Sequence, residues 1–143
     1  MNLSWKTLKK FLNTLILVSL VFTFSCIENE SGKDCGCYSE TTRTIPESAN
    51  LIGKISYKIK TNDNGYYSNR YWIVYIDPNC SNCVHSMIVC NEDILDEEFE
   101  VLKNGETYFE VSFAGKLKNV CNRIYSPADY TYEHITLTKI EKQ

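Results

Sequence analysis

Residues 106–117, Glu-Thr-Tyr-Phe-Glu-Val-Ser-Phe-Ala-Gly-Lys-Leu, decide the fold because they carry the clearest structural pattern in the chain. Phe109, Val111 and Phe113 alternate with polar residues, which predicts a β-strand with one buried face and one wetted face. Gly115 then interrupts the alternation, and a glycine inside a strand marks a bulge or a bend. We therefore expect one long strand that curls a small sheet into a barrel.

Four other segments have strand character, and one acidic turn lies among them. The segments are residues 51–60, 70–76, 84–90 and 130–140. Residues 91–98 favour one short helix or turn, with Asn91 as the N-cap and acidic residues in the first turn. This order predicts an all-β fold with one short helix, a five-stranded OB-like Greek-key barrel with the helix between the third and fourth strands. A β-sandwich or a curled antiparallel sheet fits the same order.

The first 25 residues have the composition of an export signal. Lys6, Lys9 and Lys10 form a positive segment, and residues 11–24 are an almost uncharged apolar run. This run is shorter than the roughly 20 residues of a membrane-spanning helix and matches the apolar region of a secretory signal. We expect residues 1–25 to be removed, leaving one domain of ordinary size.

Cys26 follows the apolar run directly, and this ending resembles a bacterial lipoprotein signal. The resemblance implies that Cys26 is lipidated and becomes the N-terminus, and that acyl chains hold the protein at a membrane. Residues 26–49 are polar and read as a tether that carries Cys35 and Cys37, and residues 50–143 form the OB-like domain. An ordinary secretory signal, which would release the protein, and an uncleaved anchor are the alternatives.

The charge of the mature chain argues against nucleic acid as a partner. The whole chain has a formal charge of −3, and removal of the three lysines of the signal, which contains no acidic residue, makes it −6. A protein that binds phosphate backbones needs a basic surface, and the sequence has no cluster of lysine or arginine that would form one.

The six cysteines after Cys26 point to disulfide bonds, because their number is even and export leads to oxidising compartments. They are Cys35, Cys37, Cys80, Cys83, Cys90 and Cys121. Six cysteines allow fifteen connectivities, and the sequence does not choose among them. We expect the first two to join the N-terminal segment to the domain at Cys80 and Cys83, which leaves Cys90 and Cys121 close together in the core.

Two chemically active alternatives involve Cys80 and Cys83. Their Cys-x-x-Cys spacing, before a segment that could be helical, resembles the redox pair of a thioredoxin. Residues 84–143 lack the helical period that a thioredoxin fold needs, which weighs against this alternative. Together with Cys35 and Cys37, the same pair could also make a four-sulfur zinc site, although export favours oxidation over thiolate ligation.

No catalytic motif is recognisable, and the excess of aromatic residues is the only functional indication. Neither His85 nor His134 belongs to a motif with a nucleophile, and we expect no cofactor and no metal. Exposed aromatic residues on an OB face can stack on sugars or bind proteins, although core packing also accounts for them. The candidate binding aromatics are Tyr66, Tyr67, Tyr71, Trp72, Tyr130 and Tyr132.

The chain also resembles the small Bacteroidetes envelope lipoproteins with OB-like domains that include the NigD-like group. The resemblance rests on the signal that ends at Cys26 and on residues 88–99, 111–116 and 135–140, and it covers roughly residues 70–143. It implies a lipoprotein on the periplasmic face or at the cell surface. We expect a non-enzymatic binding or accessory module for an envelope protein or a glycan. A thiol-active or zinc-binding protein and a purely structural subunit are the alternatives.

Overall fold

The computed structural model of the chain describes residues 34–60, 67–80, 82–122, 124 and 129–143. The predicted signal, the lipidation residue Cys26 and the aromatic residue Tyr66 lie outside the described residues. The segment Gly32–Gln143 forms one compact unit. None of the described helices is both long enough and apolar enough to span a membrane.

Six strands and three short 3₁₀ helices make up the described part. The strands are β1 (Arg43–Ile45), β2 (Leu51–Lys58), β3 (Arg70–Ile76), β4 (Val84–Val89), β5 (Tyr108–Asn119) and β6 (Tyr130–Lys142). The 3₁₀ helices are Glu47–Ala49, Glu92–Ile94 and Glu97–Asn104. The last two lie between β4 and β5, and we call the longer one, Glu97–Asn104, the short helix.

Five of the strands close into a barrel. β3 pairs antiparallel with β2 and β4, β4 pairs parallel with β6, and β5 pairs antiparallel with both β6 and β2. The strand β5, which contains most of residues 106–117, therefore closes the sheet on itself. The predicted OB-like barrel with its helix between the third and fourth barrel strands is confirmed, and β1 is an additional strand.

Gly115 marks the bend predicted in the long strand. The register between β5 and β6 shifts between Ala114 and Gly115. A Cβ atom at Gly115 would lie 2.6 Å from the carbonyl oxygen of Thr136, which is closer than such atoms approach. Only glycine allows β6 to approach the bent part of β5 this closely, as expected where a barrel turns a corner.

Apolar side chains from every strand fill the barrel, and the short helix closes one end. Phe99 and Leu102 of the helix are buried at 2% and 0% exposure, and the Tyr71 hydroxyl donates to the Phe99 carbonyl at 3.1 Å. The remaining buried members of this core are Ile45, Ile55, Ile73, Met87, Val89, Val111, Phe113, Leu117, Ile135 and Leu137.

Asn91 stands at the predicted N-cap position, directly before the 3₁₀ helix Glu92–Ile94, but its side chain makes no cap hydrogen bond. The amide nitrogen Nδ2 of Asn91 donates to the Leu137 carbonyl at 2.9 Å, and the Leu137 N–H donates to Oδ1 of Asn91 at 2.7 Å. The side chain thus imitates a neighbouring strand and ties the segment after β4 to β6.

Regular secondary structure is present before the predicted domain boundary at residue 50. Within the expected tether, Arg43–Ile45 forms β1 and pairs with Gly115–Leu117 of β5. Ile45 is buried in the core, and the 3₁₀ helix Glu47–Ala49 leads directly into β2. The tether prediction is therefore wrong for these residues, because a three-residue strand is too short to show a period.

Candidate functional site

The outer face of β2, β3, β4 and β6 carries side chains in three parallel rows. The strand registers place Ser56, Trp72, Ile88 and His134 side by side in the first row and Lys54, Val74, Ser86 and Tyr132 in the second. The third row contains Ile76, Val84 and Tyr130, and continuation of the β2–β3 register adds Ile52. We call them the buried row, the middle row and the exposed row. OB barrels commonly bind ligands on this part of the surface.

The buried row is covered by the protein itself. Trp72, Ile88 and His134 are only 4%, 1% and 6% exposed although they point away from the barrel core. Tyr67, from the β2–β3 connection, packs edge-on against the rings of Trp72 and His134 at centroid distances of 6.4 Å and 5.4 Å. Its carbonyl oxygen accepts a hydrogen bond from the Trp72 indole at 3.1 Å.

A disulfide completes the cover at the other side of His134. The sulfur of Cys37 lies 3.6 Å from Nδ1 of His134. Burial, followed by the positive charges of Arg70 and Lys118, lowers the pKa of His134, so the neutral imidazole is favoured here. The Lys58 amine lies 3.4 Å from the centroid of the Trp72 ring, and burial lowers the pKa of this lysine.

The exposed row is an apolar surface that no described residue covers. Ile52, Ile76 and Tyr130 are 47%, 57% and 39% exposed, and Val84 is partly buried. A shallow depression of about 200 Å³ adjoins the row between Ile52 and Ile76 and is bordered by Lys54 and Glu110. Large aliphatic side chains that lie side by side in solvent are typical of surfaces that bind a partner.

The predicted binding aromatics divide among these rows and the core. Tyr130 is in the exposed row and Tyr132 in the middle row, so the structure brings these two together on the outer face. Trp72 and Tyr67 belong to the covered end of the same face, and Trp72 is only 4% exposed, so the prediction that Trp72 binds a ligand is wrong. Tyr71 points into the barrel at 2% exposure, so the prediction that it binds a ligand is wrong. Adjacent strand residues face opposite sides, and Tyr71 and Trp72 therefore cannot share a surface.

All six predicted cysteines form disulfides, but the expected pairing is wrong. The bonds join Cys35 to Cys121, Cys37 to Cys90 and Cys80 to Cys83, with Cα–Cα distances of 4.9, 5.5 and 5.3 Å. Gly36 lies between the first two bonds with a φ of +92°, a left-handed conformation that favours glycine. Its N–H donates to the Asn119 carbonyl at 2.7 Å, so the N-terminal segment lies against the end of β5.

Cys80 and Cys83 lie in a hairpin turn and not at the start of a helix. The N–H of Cys80 donates to the Asp77 carbonyl at 3.0 Å, and the N–H of Cys83 donates to the Cys80 carbonyl at 3.0 Å. β4 follows at once, so this pair lacks the helix N-terminus that lowers a thiol pKa in thioredoxin-like motifs.

The proposed four-sulfur zinc site does not form, because Cys35 and Cys37 bond to partners far from Cys80 and Cys83. Among the described residues, one group brings three potential metal-ligand atoms within 4.8 Å of one another, and its members are Cys37, Cys90 and His134. Two of these atoms are the sulfurs of one disulfide and cannot act as thiolate ligands.

Sequence reasoning missed the two isoleucines of the exposed row. In the predicted strand 70–76, Tyr71, Trp72 and Ile73 are buried on both sides of the sheet, whereas Ile76 is 57% exposed. The adjacent Asp77-Pro78 turn is the available signal, because a strand that runs into a polar turn exposes its last side chains.

Comparison with known proteins adds no family to this description. A scan against protein-family models gives no match, and a search of curated proteins finds no significant relative.

Proposed function

We propose that the chain is an exported, lipid-anchored, non-enzymatic module of a bacterial cell envelope, and that it binds a partner protein through the exposed row. The observation that carries this proposal is the exposure of Ile52 and Ile76, at 47% and 57%, on the barrel face that OB proteins use for binding. The resemblance to NigD-like lipoproteins is part of the same proposal.

The chemistry of the row favours a protein over a glycan on this face. Sugar binding relies on aromatic rings as stacking surfaces, and the row offers three aliphatic residues and one tyrosine. An aliphatic surface is complementary to the apolar side chains at the centre of a protein interface. Lys54 and Glu110 beside it can form the polar rim of such an interface.

The disulfides support the envelope location. All six cysteines that follow Cys26 are bonded, and disulfides persist in compartments outside the cytosol. A thiol-active protein that uses Cys80 and Cys83 is the second candidate function, and a purely structural subunit is the third. Thiol titration of the folded protein separates the second candidate, which requires two reactive thiols, from the others.

Site-specific photo-crosslinking in the producing cell tests the partner proposal. A crosslinking amino acid at Ile52 or Ile76 should capture the same protein, and a second change of Ile76→Asp should abolish capture from position 52. Val101 is the matched control, because it is 52% exposed but lies on the short helix away from this face. Equal capture from positions 52, 76 and 101, or no capture from either isoleucine, would contradict the proposal. Capture of only a second copy of the chain would show self-association.

The lipid anchor has its own test. Intact-mass measurement of the mature protein should give a chain that begins at Cys26, carries acyl groups and contains no free thiol. The Cys26→Ala variant should lose the acyl mass and leave the membrane fraction. A mature protein without lipid that is found in the medium would identify an ordinary secretory signal.

A further inference from the structure

The open end of the barrel, opposite the short helix, contains a cavity that belongs to neither the exposed row nor the disulfides. Its volume is about 200 Å³, and it lies where β2 begins, β3 ends and β4 begins. Its lining residues are Arg43, Ile45, Leu51, Tyr75, Asp77, His85 and Met87. We call this cavity the barrel mouth. It holds the volume of about seven waters, which is room for one sugar ring and too little for a drug-sized ligand.

Two aromatic rings form one wall of the mouth. Tyr75 and His85 stack with their centroids 5.8 Å apart and an angle of 24° between the ring planes. The His85 side chain is held in place by a hydrogen bond, because its Nδ1 lies 2.8 Å from the Thr131 hydroxyl oxygen. Both rings are partly exposed, so the pair offers apolar ring surface that the C–H groups of a sugar can contact.

Hydrogen-bonding groups surround this wall. The described residues provide no hydrogen-bond partner for the Tyr75 hydroxyl, and Nδ1 of His85 contacts Thr131, which leaves Nε2 for a ligand. Arg43 only donates and the Asp77 carboxylate only accepts, whereas a hydroxyl does both. A ligand with several adjacent hydroxyl groups can therefore hydrogen-bond to each of these kinds of group.

The charges of the mouth favour a neutral ligand. The Arg43 guanidinium already contacts the Glu133 carboxylate at 2.8 Å, and Asp77 adds a second negative charge at the rim. An anion would have to compete with Glu133 for Arg43 and would be repelled by Asp77. Arg43 in turn disfavours a cation.

The Cys80–Cys83 disulfide closes the turn next to Asp77 at this rim. Asp77 begins the hairpin turn that the disulfide closes, with its N–H donating to the Cys83 carbonyl at 3.1 Å. Its Oδ1 accepts a hydrogen bond from the Asn79 N–H at 2.8 Å. A short covalent loop next to Asp77 restricts the positions that its carboxylate can take.

We propose that the barrel mouth binds one neutral sugar residue of a glycan, between the Tyr75–His85 stack and the side chains of Arg43 and Asp77, and that the Cys80–Cys83 disulfide positions Asp77. This site is separate from the protein-binding exposed row, and either proposal can fail without the other.

Saturation-transfer NMR with methyl glycosides tests the site. The mature protein is kept in a detergent without a sugar headgroup, and the probes are neutral methyl hexosides, methyl N-acetylhexosaminides and, as the charged arm, methyl glucuronide. At least one neutral glycoside should receive saturation at its ring protons, and the glucuronide should bind more weakly. The absence of saturation in every neutral glycoside would overturn the proposal, as would preferential binding of the glucuronide.

Matched variants locate the binding. Asp77→Asn and His85→Ala should each raise the Kd about tenfold, the effect of losing one good hydrogen bond or stacking contact. Tyr75→Phe should also raise the Kd. This variant removes the hydroxyl and keeps the ring, so its effect cannot come from lost packing. Val101→Ala, on the short helix at the opposite end of the barrel, should leave the Kd unchanged. Unchanged binding in all three mouth variants, or loss of binding in Val101→Ala, would overturn the assignment to the mouth.

The positioning role of the disulfide has a separate readout. Cys80→Ser combined with Cys83→Ser should raise the Kd for the best glycoside several-fold while the chemical shifts of the core residues stay the same. An unchanged Kd in a folded double variant would overturn this part of the proposal.

Discussion

His134, at the covered end of the outer face, makes the stability of the folded protein depend on pH. It is 6% exposed, with Tyr67 on one side and the sulfur of Cys37 at 3.6 Å on the other. Burial, Arg70 and Lys118 all lower its pKa in the folded protein from the ordinary value of 6.5. Protonation therefore favours the unfolded chain, in which the histidine is hydrated.

The sign of this effect gives a prediction. Between the folded and unfolded pKa values the unfolded state binds more protons, so the free energy of unfolding rises with pH. We expect the stability contributed by neutral His134 to be complete above about pH 7 and to decrease as the pH falls below about 6.5. Urea unfolding at pH 7.5 and pH 5.5 should show a smaller loss of stability in His134→Phe, which keeps a ring but cannot be protonated. Equal losses in both proteins would contradict this explanation.

Gly115 is the residue that allows the long strand to bend. A methyl group there would meet the Thr136 carbonyl and the Ile135 side chain at 2.6–2.8 Å. We expect Gly115→Ala to lower the free energy of unfolding by about 2 kcal/mol, as overpacking of a closed site does. Lys116→Ala, at the exposed next position, should change it by no more than about 0.5 kcal/mol. Denaturant midpoints measure both, and a neutral Gly115→Ala would show that β6 can move away.

These two residues differ in how far the sequence could predict them. Gly115 interrupts a two-residue alternation, which is a local pattern, and its role as a bend was predictable. The burial of His134 depends on Tyr67 and Cys37, which are distant in sequence and reach it only in the closed barrel.

At the scale of elements, the short helix Glu97–Asn104 acts as the closure of one barrel end. Phe99 is buried and packs edge-on against Phe109 of β5 at 5.9 Å. We expect Phe99→Ala to cost about 3–5 kcal/mol, because the barrel walls cannot collapse into the space that it leaves. Val101→Ala, on the exposed side of the same helix, is the control and should be nearly neutral. A small loss in Phe99→Ala would mean that the helix is dispensable for the core.

The three disulfides differ as elements because they close loops of very different length. The bonds Cys35–Cys121 and Cys37–Cys90 have sequence separations of 86 and 53, and Cys80–Cys83 has a separation of 3. Chain entropy predicts that each long-range bond contributes about 4 kcal/mol and the short bond about 2 kcal/mol or less. Pairwise Cys→Ser variants, measured by denaturant unfolding, should follow this order. A larger loss from the Cys80/Cys83 pair than from either other pair would contradict it.

The bounds of the strands were predictable to within a few residues, but the pairing of the cysteines was not. Alternation and turn residues are local signals, and they placed β3 at residues 70–76 as the structure has it. Cysteine pairing depends on which loops the closed barrel brings together, and that information is not local. For the same reason, the exposed row and the barrel mouth were not predictable from the sequence, since each is assembled from several strands.

At the scale of the whole molecule, one barrel offers two separate surfaces of different chemistry. The outer face has a covered end, stabilised by Tyr67 and the Cys37–Cys90 bond, and an exposed aliphatic end. The barrel mouth combines polar and aromatic side chains with the apolar residues Ile45, Leu51 and Met87, and the short helix closes the opposite end of the barrel. The two proposed sites use different side chains, so a partner protein and a sugar residue would not compete for the same surface.

The disulfide connectivity has a consequence for the biogenesis of the protein. Cysteines that enter an oxidising compartment in chain order tend to pair with the next cysteine to arrive. Among the six cysteines that the structure describes, only Cys80 and Cys83 are consecutive partners. Cys37 can form its native bond only after Cys90 has been exported. Cys35 can do so only after export of Cys121, which follows every other cysteine in the chain. Oxidation faster than barrel closure would trap non-native bonds, and their correction requires thiol–disulfide exchange. We therefore expect the yield of native protein in the cell to depend on a disulfide isomerase, and an oxidase alone to be insufficient.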